Sequence, residues 1–484
     1  MLFPSFPFVF AFLPIVLLVF YFVRRKEAWH LLVPTLLLAS LVFYLLPNWQ
    51  HGYIIISSII FNFYISRPVQ SHNPLYSRAA LVIGIIFNLS VIGYFKYIFF
   101  FSQILHSVTG IDMVLTKVIL PVGISFYTFQ QIAYLVDCYK DKNTHYNFTE
   151  YALFIAFFPQ LIAGPIVHHK ELMPQISALK NKPFNADQFK VGVGFFIVGL
   201  AKKLILADNL AHLTNPVFES ADSGVAIDTL SAWMASLSYT LQLYFDFSAY
   251  SDMAIGLGLM FGIQLPINFL SPYKSQSIIE FWRRWHITLS KFLRDYLYIA
   301  LGGNRKGKAR RYTNLMLTML LGGLWHGAGW NFIIWGGLHG VYLIINHAFN
   351  AAAKYTNFVM PRVMGIALTL FGVVVAWVFF RAETTEGALL ILNSMFAYSS
   401  ADERTWYPIH FMFLAVSFFL VWRMPNTAEF FGYNGCESKL SWPPKALSII
   451  PKHREIAIPV TLGILFALVI MYIPRPTIFI YFNF

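Results

Sequence analysis

The chain has 484 residues, 57% hydrophobic, 18% aromatic and 12% charged, with a mean hydropathy of +0.60 and a formal net charge of +13. That composition lies far from soluble averages and excludes a soluble globular fold. The basic excess does not point to nucleic acid, because much of it sits in short loops beside apolar runs, where it sets topology and meets anionic headgroups.

Leu2 to Val23 carries no charge and is long enough to cross a ~30 Å hydrocarbon core, and Arg24-Arg25-Lys26 follows at once. The basic residues come after the apolar run and no small-residue cleavage site follows, so this segment reads as a retained first helix with its N-terminus facing outward. Charge-poor runs then recur at about 28–46, 51–66, 79–95, 97–111, 117–136, 187–206, 229–245, 253–270, 312–330, 332–350, 364–380, 407–422 and 456–474. They predict an all-α polytopic integral membrane protein of roughly 11–13 spanning or re-entrant helices. No internal repeat is visible and no polar block is long enough for a soluble domain, so residues 1–484 read as a single membrane domain.

Tyr151 to Val167 is short for a crossing and is interrupted by Phe158-Pro159-Gln160 and Gly164-Pro165. It reads as a re-entrant or broken helix lining the interior, with a Pro-kinked helix as the alternative. Asp246 and Asp252 stand between two apolar runs, where each could orient a histidine or cap a helix. The segment 278–298 has a different pattern. At a helical period Ile278, Phe281, Trp282, Trp285, Leu289, Phe292, Leu293 and Tyr296 share one face, and Glu280, Arg283, Arg284, Lys291, Arg294 and Asp295 the other. This predicts an interfacial amphipathic helix on the cytoplasmic side, next to the basic loop Asn304 to Arg311. His286 falls at the border of the two faces, a position that suits a headgroup-level histidine.

Between Tyr312 and Ala353 there is no Asp, Glu, Lys or Arg, yet the middle reads Gly322-Gly323-Leu324-Trp325-His326-Gly327-Ala328-Gly329-Trp330-Asn331-Phe332. An ionisable residue inside a membrane needs a partner or a wet cavity, and imidazole exchanges protons near neutrality, so His326 is the first candidate for chemistry. The flanking glycines are expected to give a substrate room against the backbone. His339, in a similar Gly and Trp setting, reads as a packing or hydrogen-bonding residue. Cys138 and Cys436 have no metal-type spacing and read as structural. Walker, Gly-x-Ser-x-Gly and HExxH patterns do not occur, and no metal site is expected.

Taken together, several stretches resemble the membrane-bound O-acyltransferases of the alginate O-acetyltransferase type. They are Ser238 to Ala254, Asn268-Phe269 with Pro272-Tyr273, and Glu280-Phe281-Trp282-Arg283-Arg284-Trp285-His286. Leu293 to Tyr298, Leu301 to Arg305, Pro121 to Gln130, Phe158-Pro159-Gln160, Ala163-Gly164-Pro165, and Lys202-Lys203 with Ala207-Asp208 add to it. One departure is Ala249 where that pattern has glycine. The resemblance implies that His326, in Trp-His-Gly, is catalytic and that His286 is the second histidine of the site. Arg283 and Arg284 become candidates for gripping donor phosphates, and Trp285, Trp325, Asn331 and Asp246 for contacting substrate. It further implies helices arranged around a tunnel in a bacterial inner membrane, with the N-terminus periplasmic. The implied reaction moves an acyl group, in first place acetyl from acetyl-CoA, across that membrane for O-acetylation of an extracytoplasmic polysaccharide or peptidoglycan. A separate periplasmic acetyltransferase would be its partner, besides membrane lipid. Two other readings stay open here, D-alanyl-type transfer from a carrier protein and a transporter or flippase without acyl chemistry.

Overall fold

The computed structural model describes residues 1–111, 118–143, 146–305, 307–400, 405–436, 438–444, 454–475 and 479–480. Helix dominates them and no strand occurs among the described residues. In a bilayer every backbone polar group must find a partner within the chain, and a helix does this segment by segment. Among the described residues seven helical stretches are long and apolar enough to cross a membrane: Phe8–Arg25, Trp29–Pro47, Trp49–Val69, Pro74–Thr109, Trp330–Thr356, Arg362–Arg381 and Glu455–Tyr472. The protein is thus an all-α polytopic membrane protein. The expected apolar run from 117 starts at a residue outside the described set, as does Lys306 of the basic loop.

The chain forms two compact units, each assembled from separate stretches: Met1–Val198, Tyr250–Ile267 and Phe431–Pro476 in one, Gly199–Ala249, Asn268–Phe430 and Thr477–Phe484 in the other. In the first unit, the expectation of a broken helix holds. Phe148–Ala156 ends before Pro159, a four-residue helix Phe158–Leu161 follows, and the whole of 151–167 is buried. The break is satisfied internally: Phe158 donates its backbone N–H to Ser40 Oγ at 3.1 Å, and Gln160 Nε2 donates to the Phe154 carbonyl at 2.6 Å. The same unit carries an interhelical amide cluster. Asn62 Nδ2 reaches Asn88 Oδ1 at 3.2 Å and Gln131 Oε1 at 3.1 Å, and Asn88 Nδ2 returns a bond to Asn62 Oδ1 at 2.7 Å. Such side chains hold spanning helices together where water cannot compete.

The second unit departs from the sequence expectations in two places. The runs predicted at 229–245 and 253–270 are not separate spans, because one helix runs from Thr229 to Met260 and carries Asp246 in its middle. The amphipathic segment is not one helix either. Ile278–Arg284 and Ile287–Phe292 are separate helices, followed by a wider turn Leu293–Tyr298. Its two faces nonetheless survive, with Phe281, Trp285, Leu289, Phe292 and Leu293 buried and Arg283, Lys291 and Arg294 exposed. The break falls on His286, whose φ of 41° and ψ of 54° are left-handed. A non-glycine residue there costs on the order of 1–3 kcal/mol unless its surroundings impose it.

Candidate functional site

Two helices of the second unit place His326. Gly307–His326 ends on it, and Trp330–Thr356 begins after the turn Gly327-Ala328-Gly329. The helices approach backbone to backbone. A Cβ on Gly323 would lie 2.2 Å from the Phe332 carbonyl oxygen, and one on Gly336 would lie 2.4 Å from that of Met319. Gly327 is closed by the Phe332 ring, 2.0 Å from where its Cβ would be. These glycines therefore pack the hairpin and do not open space for a substrate as the sequence suggested, because the room they leave is taken by the facing helix.

His326 is buried in an aromatic shell. Its ring centroid lies 4.9 Å from Trp325, 5.0 Å from Trp335, 5.2 Å from Phe380 and 6.5 Å from His286. The two histidines, forty residues apart in sequence, are thus brought into one site. His286 does not face headgroups from the helix surface, since it is wholly buried against Phe247 at 4.7 Å and near Trp325 at 6.2 Å. The kink that swings it inward removes it from the helix border where a continuous helix would have left it. Burial pushes its imidazole down to about 3, so it is neutral at physiological pH.

Asn268 holds this kink. Its backbone carbonyl accepts from Ile287 N–H at 2.9 Å, and its side-chain Oδ1 lies 3.1 Å from His286 Nδ1. The same Oδ1 accepts from Thr288 N at 3.3 Å and from Thr288 Oγ1 at 3.0 Å. Arg284 reinforces the turn through its carbonyl, which accepts from Leu270 N–H at 3.0 Å. In the sequence Asn268 stands out only within the Asn268-Phe269 motif, and nothing local marks it as the partner of a residue eighteen positions on.

The other candidates sit in varied surroundings. Trp285 is buried as packing: its ring stacks on Phe281 at 5.6 Å and lies 5.1 Å from Trp377. Trp325 flanks both histidines. Asn331 is committed to the fold, donating to the Ala382 carbonyl at 2.9 Å and accepting from Thr385 Oγ1 at 2.9 Å. Asp246 neither caps a helix nor bonds a histidine. It is mid-helix, its Oδ1 2.6 Å from Lys203 Nζ and its Oδ2 accepting from Ile480 N–H at 2.9 Å, while Lys203 also reaches Asp208 at 2.7 Å. Asp252 belongs to the first unit. His339 is buried by Trp335 at 4.9 Å and Trp282 at 5.1 Å, in keeping with packing.

At the polar edge, Arg284 pairs with Glu280 at 2.8 Å and reaches the Leu270 carbonyl at 3.3 Å, whereas Arg283 is exposed. Arg283 lies within electrostatic reach of His347, which Arg311 Nη2 contacts at 3.0 Å. This adds Arg311 and His347 to the basic rim that the sequence assigned to Arg283 and Arg284. Among the described residues no group of three or more His, Cys, Asp or Glu is arranged to hold a metal ion, and neither cysteine forms a disulfide.

Comparison with known proteins bears on this site. Residues 75–385, which include both histidines, match the family model described as MBOAT, membrane-bound O-acyltransferase family. A peptidoglycan O-acetyltransferase of Helicobacter pylori is 45% identical over 416 residues, covering 80% of this chain and 78% of that protein. A probable alginate O-acetylase of Pseudomonas aeruginosa is 43% identical over 413 residues, covering 83% and 76% respectively. A teichoic acid D-alanyltransferase of Streptococcus thermophilus is 30% identical over 243 residues, covering 49% of this chain and 59% of that protein.

Proposed function

The chain belongs to the membrane-bound O-acyltransferase family, and from that premise we propose that it passes an acetyl group from cytoplasmic acetyl-CoA across the bacterial inner membrane for O-acetylation of an extracytoplasmic polysaccharide or peptidoglycan. Acyl transfer itself follows from the family and its named relatives. The observation that carries the finer reading is the burial of His326 in an aromatic shell beside a second, neutral histidine, inside the matched region.

In this proposal His326 takes the proton of the acceptor hydroxyl as that oxygen attacks the thioester carbonyl carbon. The C–S bond breaks, and the departing thiolate of coenzyme A recovers the proton from His326. Excluding water from such a site protects the thioester from hydrolysis and strengthens every polar interaction in it. The competing path forms an acyl-histidine first, and it predicts a burst of released coenzyme A before steady turnover. The exposed Arg283, with Arg311 and His347, would meet the donor's phosphates. A passage leading the donor to His326 and a periplasmic N-terminus belong to the same proposal, as does a separate periplasmic acetyltransferase that finishes the reaction on the polymer.

The greater coverage and identity of the O-acetyltransferase relatives favour acetyl over D-alanyl transfer. Purified protein in liposomes loaded with a soluble hydroxyl-bearing acceptor, and given radiolabelled acetyl-CoA on the outside only, tests this directly. Wild type releases coenzyme A, and His326→Ala lowers the rate by about 10²–10⁴-fold while expression and fold persist. Release that survives in His326→Ala removes that residue from the chemistry. Turnover that requires a charged carrier protein in place of acetyl-CoA replaces the acetyl reading by the D-alanyl one.

A further inference from the structure

The bonding around Asn268 fixes more than a loop. Its Oδ1 accepts from the Thr288 backbone N–H, a group that can only donate, so that atom of the amide is the oxygen. The ring nitrogen facing an oxygen acceptor must carry the hydrogen, and in a neutral imidazole this leaves Nε2 with the lone pair. Nε2 of His286 is buried and meets no hydrogen-bond partner among the described residues. The ring neighbours of His286 include Phe247, Phe269, Trp325 and a second imidazole, His326.

Resting on the acyl-transfer reading, we infer that Asn268 is a positioning residue that locks His286 in its Nδ1–H form, so that its Nε2 lone pair faces the site as a second proton acceptor beside His326. A neutral amide suits this duty better than a carboxylate. Aspartate at the same place would also accept from Nδ1–H, but its charge would favour the imidazolium, which has no lone pair to offer. Contacts of Asn268 through Oδ1 and through its carbonyl tie ring orientation to the left-handed backbone of His286. Thr288 serves as the anchor that keeps the amide from turning over.

The test reads the tautomer first and the rate second. In bilayers, protein labelled with [15N]histidine and assigned by subtraction of a His286→Gln spectrum should show a protonated Nδ1 and a bare Nε2 from pH 5.5 to 8. Asn268→Leu should lose that single tautomer and lower kcat by about 10²-fold or more, with the KM for acetyl-CoA within about twofold. Asn268→Asp should keep Nδ1–H and most activity at high pH, but gain an acidic limb in its pH–rate profile as the imidazolium forms. A protonated Nε2 in wild type overturns the inference. So does a folded Asn268→Leu protein with the wild-type spectrum. If Asn268→Leu does not fold, Asn268→Asp decides, and an unchanged profile and spectrum at pH 6 overturn the inference. The spectrum needs no donor, so it stands or falls separately from acyl transfer, whose own failure would be a wild-type protein that releases no coenzyme A.

Discussion

His286 is neutral in the fold and takes up a proton near its ordinary value once the chain unfolds. Between those two values the unfolded state binds more protons than the folded one, so stability is full above the unfolded value and falls as the pH drops through the window from about 6.5 toward about 3. The slope contributed by one such group approaches about 1.4 kcal/mol per pH unit. Thermal unfolding in detergent should therefore show a midpoint that drops between pH 7 and 5, and His286→Gln should flatten that drop. Asn331 makes a second residue-scale prediction. Its truncation to Ala leaves the buried Ala382 carbonyl and Thr385 hydroxyl without their present partners, which costs about 1–3 kcal/mol. The KM for the donor should not move, and a raised KM at unchanged midpoint would return Asn331 to the substrate site. His326 was legible in the sequence because a lone imidazole in uncharged apolar surroundings demands an explanation. Asn331 stands near it in sequence, and the bonds its amide makes to residues more than fifty positions away were not visible there. Asn268 could not be seen because a role that depends on facing another residue has no local signature.

At the scale of elements, the period of the amphipathic segment predicted its buried face and missed its break. Hydrophobic spacing reports which side of a segment faces the interior, whereas the kink is imposed by the irregular stretch at 268–270, which pairs with its backbone from outside. The glycines of the His326 hairpin show the same division. Their presence was visible, and their use was decided by a facing helix. Gly323→Ala should force a methyl group against a backbone oxygen that cannot swing away, at a cost of at least about 1–3 kcal/mol. Gly329→Ala is the control, since a Cβ there meets only Phe332 Cδ2 at an ordinary 3.7 Å. A drop in unfolding midpoint for the first variant and little change for the second is the expected pair, and equal midpoints would refute the close-packing account. The broken helix at 151–167 was readable because proline and glycine interrupt a run too short to cross.

For the molecule as a whole, helical class, membrane residence and family were all carried by composition and motif, because lipid leaves few architectures open. The division into two units built from interleaved stretches was not, since it depends on which distant segments meet. The Lys203 cluster in the second unit makes that dependence measurable. Lys203→Met strands Asp246 as a buried charge and should cost about 3–5 kcal/mol, while adding Asp246→Leu should recover part of the loss. Additive losses in the double variant would mean that the pair is not coupled. The same carboxylate has a further partner, the Ile480 amide, which lies 234 positions later in the chain. During synthesis the residues around Asp246 must therefore wait for a segment that leaves the ribosome much later. The unit that carries both histidines is completed late in its own biogenesis, and a nascent chain stalled before residue 480 would hold the histidines without the closure that secures the helix behind them.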